Sequence, residues 1–564
     1  MKREQKEVLR RSCREVYKNM VLETHVDPSP KDFTIAWGTA FPSIIEKAGF
    51  DGFDEDYVEW KRLYKNITEL RIAALNEYPD LKEATLNEST FSSPEYVEKL
   101  EEEIKKHSKF VVSTVVAGKP ANVEFFKSLQ TYARANDALL LLLPIQDVKG
   151  SRTQFEFNFD IIFKDAWVLA KGMYLNTNLY FEDIKQSAKQ KNQIASLEKG
   201  TVIRDASILA PGTKQQLKYV PTFKNRIPHA VMTTGAATVN DYTNEYYMSA
   251  RTSRFAEWDH QCGAIIVEVE SEKIFHFRQI QAAEDGSFTD VDMTYHSDGT
   301  MTRAKDSILV MGDSHAGMED TKLVEAVVGS LMSKCNISEL VLHDLCNSAA
   351  CSHHEANDTI ILAQRAADNT NSMMNEIRRV SRYLDNLSRL NSNLHVTVVN
   401  SNHDGHIERA VRELRCVAGR DSLNQPILFD LWLQLVNKTV TNPLKYLVEK
   451  YTQLTNPHKI KWLELDESYE RYGTELGLHG HLGANGARGS LKTFENAVGN
   501  AVVGHSHSGA ILCNIFQVGT TSEMDMGYNK GLSSWTRTCC LVHADGTKQL
   551  VNFIPVNGEY HYTV

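Results

Sequence analysis

Three short apolar runs in the second half of the chain each stop at a cluster of polar residues of metal-ligating type. They are SILVM from Ser307, ELVLH from Glu339 and HVTVVN from His395. Between the first two, Leu323, Val324, Val327, Val328, Leu331 and Met332 recur at helical spacing. Between the second and third, Met373, Ile377, Val380, Leu384, Leu387 and Leu390 do the same. Strand, helix, strand, helix, strand is the series that builds a parallel sheet through right-handed crossovers. The fold class it predicts is α/β. Open sheets of this kind take their ligands beyond the carboxyl ends of the strands.

The polar residues fall at those ends. They are Asp313 and His315 in GDSHAG, Asp344, then Asn402, His403 and Asp404 in SNHD, His479 in LHGH, and His505 and His507 in GHSH. Each group has an ordinary reading when taken singly. Asp344 at a strand end serves as a helix N-cap, Asn402 to Asp404 make a turn, and two histidines two apart arise by chance. Five such groups in succession, each after an apolar run, are harder to explain by packing. Burying them unpaired is costly, so they need a shared partner, and a divalent cation supplies one. Carboxylate, amide and imidazole donors without thiolate suit manganese, iron, zinc or nickel rather than a structural zinc site.

The same blocks, in the same order, resemble the five signature motifs of the calcineurin-like metallophosphoesterases. The resemblance implies layered β-sheets flanked by helices and a centre of two divalent metal ions. It implies that Asp313, His315, Asp344 and His507 hold one ion. Asp344 would bridge to a second ion held also by Asn402, His479 and His505. His403 matches the catalytic histidine of the family, and Asp404 the acid that orients it. The implied reaction is in-line attack on phosphorus by a hydroxide between the two ions, with His403 at the leaving oxygen. Two positions depart from the family pattern, His343 and Ser401, where glycine is usual.

Four regions are expected: helical 1–107, an α/β accessory domain over 108–305, the phosphoesterase domain over 306–515, and a β-rich cap over 516–564. In the accessory domain, KFVVSTVVA, NVEFFKSLQTYARAN and ALLLLLPI read as a βαβ unit, with VIRDASILA and GAIIVEVE as further strands. No G-x-G-x-x-G follows the first of these, so no dinucleotide site is assigned there. The N-terminal helix carries Arg10, Arg11, Arg14 and Lys18 around an apolar stripe of Val8, Leu9, Cys13, Val16, Tyr17 and Met20. It reads either as a DNA-facing helix or as an amphipathic surface helix.

The apolar run Ala138 to Ile145 is far too short to span a membrane, and no secretory signal is visible. An odd set of scattered cysteines points to a reducing cytoplasm. The net charge of −10 argues against a surface that is basic throughout, while leaving room for a local positive groove.

The choice of phosphoester rests on finer features. Asp404 follows the histidine as it often does in nucleases. Arg488 lies in the glycine-rich stretch LHGHLGANGARGS, and Arg378, Arg379, Arg382 and Arg389 lie off the apolar face of their helix. CSHHEAND, SNHD, GHSHSGAI and the tail GYNKGLSSWTRTCCLVHADGTKQL look like those of large phage metallophosphoesterases, the host-DNA-degrading nucleases of T-five-like coliphages. That resemblance implies Mn2+-dependent cleavage of DNA in the infected bacterial cytoplasm by a homo-oligomer. Arg488 and His354 are the candidate substrate contacts. Cys346 and Cys351 are placed in a plain loop, and Trp535 in the core of the tail. Two other classes stay open: a small-molecule phosphatase or nucleotidase on the same centre, and a non-enzymatic DNA-binding scaffold with a structural metal site.

Overall fold

In the computed structural model, the described residues are 3–24, 30–40, 63–64, 67–78, 93–116, 119–145, 166–169, 172–182, 187–188, 190–224, 226–242, 250–335, 337–413, 415 and 421–562. Much of the region expected to be helical over 1–107 therefore lies outside them. Its described part packs Leu9, Cys13, Val16 and Tyr17 of the first helix, Arg3–Thr24, against Phe33, Trp37, Leu63, Tyr64 and Leu70. Val8, counted on the apolar stripe, is exposed. Arg14 is taken up by Glu7, Glu77 and the Tyr64 hydroxyl, and Arg10 donates to the Leu63 carbonyl. These arginines tie the helices together.

The βαβ unit forms as the sequence predicts. Strand β1 (Lys109–Val116) leads through helix α1 (Val123–Asn136) to β2 (Leu139–Ile145), and the two strands pair in parallel. With β3 (Trp167–Val168), β4 (Gly263–Val269) and β5 (Phe275–Gln281) they make a five-stranded sheet in the order β5-β4-β1-β2-β3. VIRDASILA differs from its predicted strand. Its first half belongs to a helix, Glu198–Arg204, and only Ser207–Ala210 is extended. Val202 and Ile203 are exposed rather than packed, and Asp205, left-handed at φ 49°, ends the helix.

The predicted α/β series also forms. Strands β6 (Ser307–Val310) and β7 (Glu339–Leu342) are parallel neighbours. The helix between them, over 321–334, is wound as a π-helix across Glu325–Leu331. Helix α2 (Met373–Leu390) then leads to β8 (His395–Val398), which pairs in parallel with β7. Helix α3 (Asn402–Arg412) follows, and β9 (Ile460–Trp462) is the next parallel strand. Beyond β10 (Ala501–Val503), β11 (Thr538–His543) pairs antiparallel with β6, and β12 (Lys548–Asn552) pairs with β11. The six-stranded order is β9-β8-β7-β6-β11-β12. Residues 538–552, expected in a separate cap, thus extend the central sheet.

Alternation along these strands explains the layers, because successive side chains point to opposite faces. Leu309, Leu340, Leu342 and Leu541 pack with Val380, Leu384 and Leu387 of α2 on one face. Ile308, Val310, Val341 and Val542 pack on the other face with Leu217, Val502, Ile511 and Phe516. That second face meets a ten-stranded sheet drawn from both sides of the boundary expected at 305/306, with Leu217 opposite Ile511. The architecture is mixed α/β with several multi-stranded sheets, and the carboxyl ends of β6, β7 and β8 open at one edge. Among the described residues, no helix is long and apolar enough to cross a membrane.

Candidate metal centre

Beyond the ends of β6 and β7 the backbone stays zipped. Ser314 N–H donates to the His343 carbonyl at 3.0 Å, and His315 N–H to the Asp344 carbonyl at 2.8 Å. This brings Asp313, His315 and Asp344 side by side. Asp313 is held from its other flank by the Thr520 hydroxyl, which donates to its carbonyl at 2.9 Å. The loop after β10 closes the group: His505 N–H donates to Asp313 Oδ1 at 3.2 Å. Gly504 allows that approach, since a Cβ there would stand 2.5 Å from Asp313 Oδ1.

The side chains form two donor groups. Asp313, His315, Asp344 and His507 place one ligand atom each within 4.8 Å of one another, and so do Asp344, His479 and His505. Asp344 belongs to both. Asn402 joins the second group, its Oδ1 standing 2.9 Å from His479 Nε2 and 3.0 Å from His505 Nδ1. All seven residues singled out as ligands therefore meet in one neighbourhood.

The chemistry of these groups fits a metal cation. Asp313 and Asp344 are buried, and among the described residues their ion-pair partners are histidines alone. His507 Nε2 lies 3.0 Å from Asp313 Oδ2, but the direction makes no hydrogen bond, and Asp313 Oδ2 and Asp344 Oδ1 have no donor. Burial alone would raise both carboxyls. His507 beside Asp313, and His479 and His403 beside Asp344, hold them below their usual range. Burial pushes His315 down to about 3, which favours the neutral ring with one nitrogen lone pair to offer. Burial also works against charge on His479, but Asp344 outweighs it and carries that imidazole up to about 9. Clustered acceptor atoms around two buried carboxylates are what a cation, which needs deprotonated ligands, would satisfy.

The backbone is bent to suit. His315, Asp344, His505 and His507 all have positive φ, at 48°, 43°, 73° and 58°. Non-glycine residues held there cost roughly 1–3 kcal/mol each, and such outliers cluster at functional sites.

His403 stands beside the first group, its ring centroid 4.7 Å from that of His315. Its Nδ1 lies 2.6 Å from the Asn347 carbonyl, so Nδ1–H donates there and Nε2 is left for other work. Asp404, expected to orient it, makes no hydrogen bond to the His403 ring. The Asp404 carboxylate accepts from Ser401 N–H at 2.9 Å and completes a capping box at the start of α3. Burial lifts that carboxyl to about 7 against the pull of the same amide. A cavity of about 350 Å3 opens in front of this array, lined by Asp344, Asn347, His354, His403, His507 and Trp535 among others.

Comparison with known proteins gives one measure of relatedness. Over 477 residues the chain is 26% identical to Protein A1 of Escherichia phage T5, covering 81% of this chain and 84% of that protein. No family model matches the chain. No solved structure matches it either.

His354 lies on the cavity wall, whereas Arg488 is exposed on a small loop outside it. Arg379 packs over Gly317, just past the first ligand loop, and Arg378, Arg382 and Arg389 are exposed. Cys346 and Cys351 are buried thiols that take no part in a ligand group. Trp535, expected in the core of the tail, is half-buried on the cavity wall with its ring 4.2 Å from that of His507. The residues that sequence reasoning missed are Asn347 and His406. Asn347 acts through its carbonyl, which no side-chain pattern reveals. His406 follows His403 by three on α3, a spacing that puts both on one helix face.

Proposed function

We propose that this chain is a two-metal phosphodiesterase acting on DNA, with the calcineurin-like metallophosphoesterase fold and Mn2+ as its ion. The observation that carries the proposal is the pair of donor groups sharing Asp344, with His403 at their edge. Two divalent cations, when bound, lower the pKa of a water and clamp phosphate oxygens. Asp313, His315, Asp344 and His507 would hold one of them, and Asp344, Asn402, His479 and His505 the other. His403, fixed through Nδ1–H by the Asn347 carbonyl, would in its imidazolium form carry a second proton on Nε2, and that proton neutralises the leaving oxygen. DNA as the substrate is supported by the phage-nuclease resemblance of the sequence, and a phage setting by similarity to Protein A1 of phage T5 over most of both chains. On this reading the chemistry sits in 306–515, with 1–107, 108–305 and 516–564 as flanking parts, and the protein works as a homo-oligomer in the bacterial host cytoplasm.

The test is direct. Purified protein with Mn2+ is offered linear and circular DNA, nucleoside monophosphates and p-nitrophenyl phosphate esters. The reading expects DNA cleavage; hydrolysis of monoesters alone would make the protein a phosphatase, and no hydrolysis under any metal would make it a scaffold. Asp344→Ala should lose both ions and all activity, and two ions still bound in that variant would refute the shared-ligand assignment.

A further inference from the structure

Next to His403 lies a second cluster, built only of imidazoles. His353 and His354 come from the loop after β7, and His406 from α3; their ligand nitrogens lie within 4.8 Å of one another. The rings of His353 and His354 are 3.8 Å apart by centroid, with His406 at 5.1 and 5.7 Å from them. His406 is 9% exposed, and its Nδ1, like that of His353, is buried without a hydrogen-bond partner. A buried imidazole nitrogen left unpaired is costly, and here two such rings converge with a third. The cluster faces a cavity of about 430 Å3 that also touches Asn402 and Asp404.

We propose that His353, His354 and His406 hold a third metal ion, a dication of the zinc class, with an open position toward that cavity. The donor set decides the class. Three neutral imidazoles without a carboxylate suit zinc, copper or nickel, whereas the carboxylate-bearing groups around Asp344 accommodate manganese. Three protein ligands and one open position is the arrangement of a zinc site that keeps a place for an exogenous ligand. An ion there, beside His403, whose ring is 5.0 Å from that of His406, would take a phosphate oxygen of a substrate lying in the cavity of about 350 Å3 that His354 and His406 share with Asp344. The site shares no ligand with the Asp344 centre, so the two can be occupied and lost separately.

The experiment counts metal in the full-length protein after saturation with Zn2+ and removal of the excess, and records the visible spectrum of the Co2+-loaded protein. Wild type should retain one equivalent more than His353→Asn/His354→Asn. His354→Asn alone, at an exposed position, should weaken the same equivalent if the double variant fails to fold. Asp344→Asn should keep it while losing metal from the paired centre. Equal metal content in wild type and the histidine variants, with unchanged Co2+ spectra, would overturn the proposal. So would loss of every equivalent in Asp344→Asn.

Discussion

The loop that carries Asn347, His353 and His354 is anchored by one buried carboxyl, and its titration can be measured. Glu376, 4% exposed on α2, accepts from the backbone N–H groups of Ala349 at 2.7 Å and Ala350 at 3.3 Å. Burial raises its pKa from the ordinary 4.5 to about 7, with the two amides pulling the other way. The folded chain thus binds a proton more tightly than the unfolded one, and the sign follows from linkage. The stabilising contribution is fully present below pH 4.5 and is lost as pH rises toward about 7. The gap between those values is worth roughly 3 kcal/mol. Glu376→Gln keeps an oxygen for both amides and cannot ionise. Urea unfolding of wild type and variant, in chelator and at steps from about pH 4.5 to 8, isolates the effect as a difference between two curves. The variant should match wild type at the acid end and exceed it by about 3 kcal/mol above neutrality. Parallel curves, or a variant less stable at the alkaline end, would refute the argument.

His403→Asn should leave metal content intact while DNA cleavage falls by about 10²–10⁴-fold, and less with a p-nitrophenolate leaving group; equal losses on both substrates would remove the acid role. Trp535→Ala should weaken single-stranded DNA binding by about 1–3 kcal/mol if the ring stacks a base, and an unchanged affinity in a filter or fluorescence titration would return it to packing. Stripping divalent ions with a chelator should lower the melting temperature, since an ion at about 100 times its Kd adds roughly 3 kcal/mol. A calorimetric transition unmoved by chelation would contradict the fit of Asp313 and Asp344 to cations.

Strands β6, β7 and β8 were legible because each is a short apolar run between helical repeats, and the ligands because carboxylates and imidazoles are costly to bury in such numbers. The ten-stranded sheet was not legible. Several of its strands are two or three residues long, and Leu217 finds Ile511 from nearly three hundred residues away. The tail misled for a related reason. Cys539, Cys540, Leu541 and Val542 alternate between two cores, but nothing local says that β6 is the partner. Asp404 was given to His403 by motif, while the capping box beside it, Ser401 to Asp404, was open to view as a serine three residues before an acid. Arg488 followed glycine-rich composition, which signals a loop and not a direction.

The left-handed residues at His315, Asp344, His505 and His507 also bear on how such a centre drifts over generations. The residue that relaxes each of these backbone positions is glycine, and glycine brings no ligand atom. A lineage freed from the chemistry would gain stability by accepting it at these places, so decay of the centre should begin there rather than at Asn402 or His479, which sit in ordinary backbone.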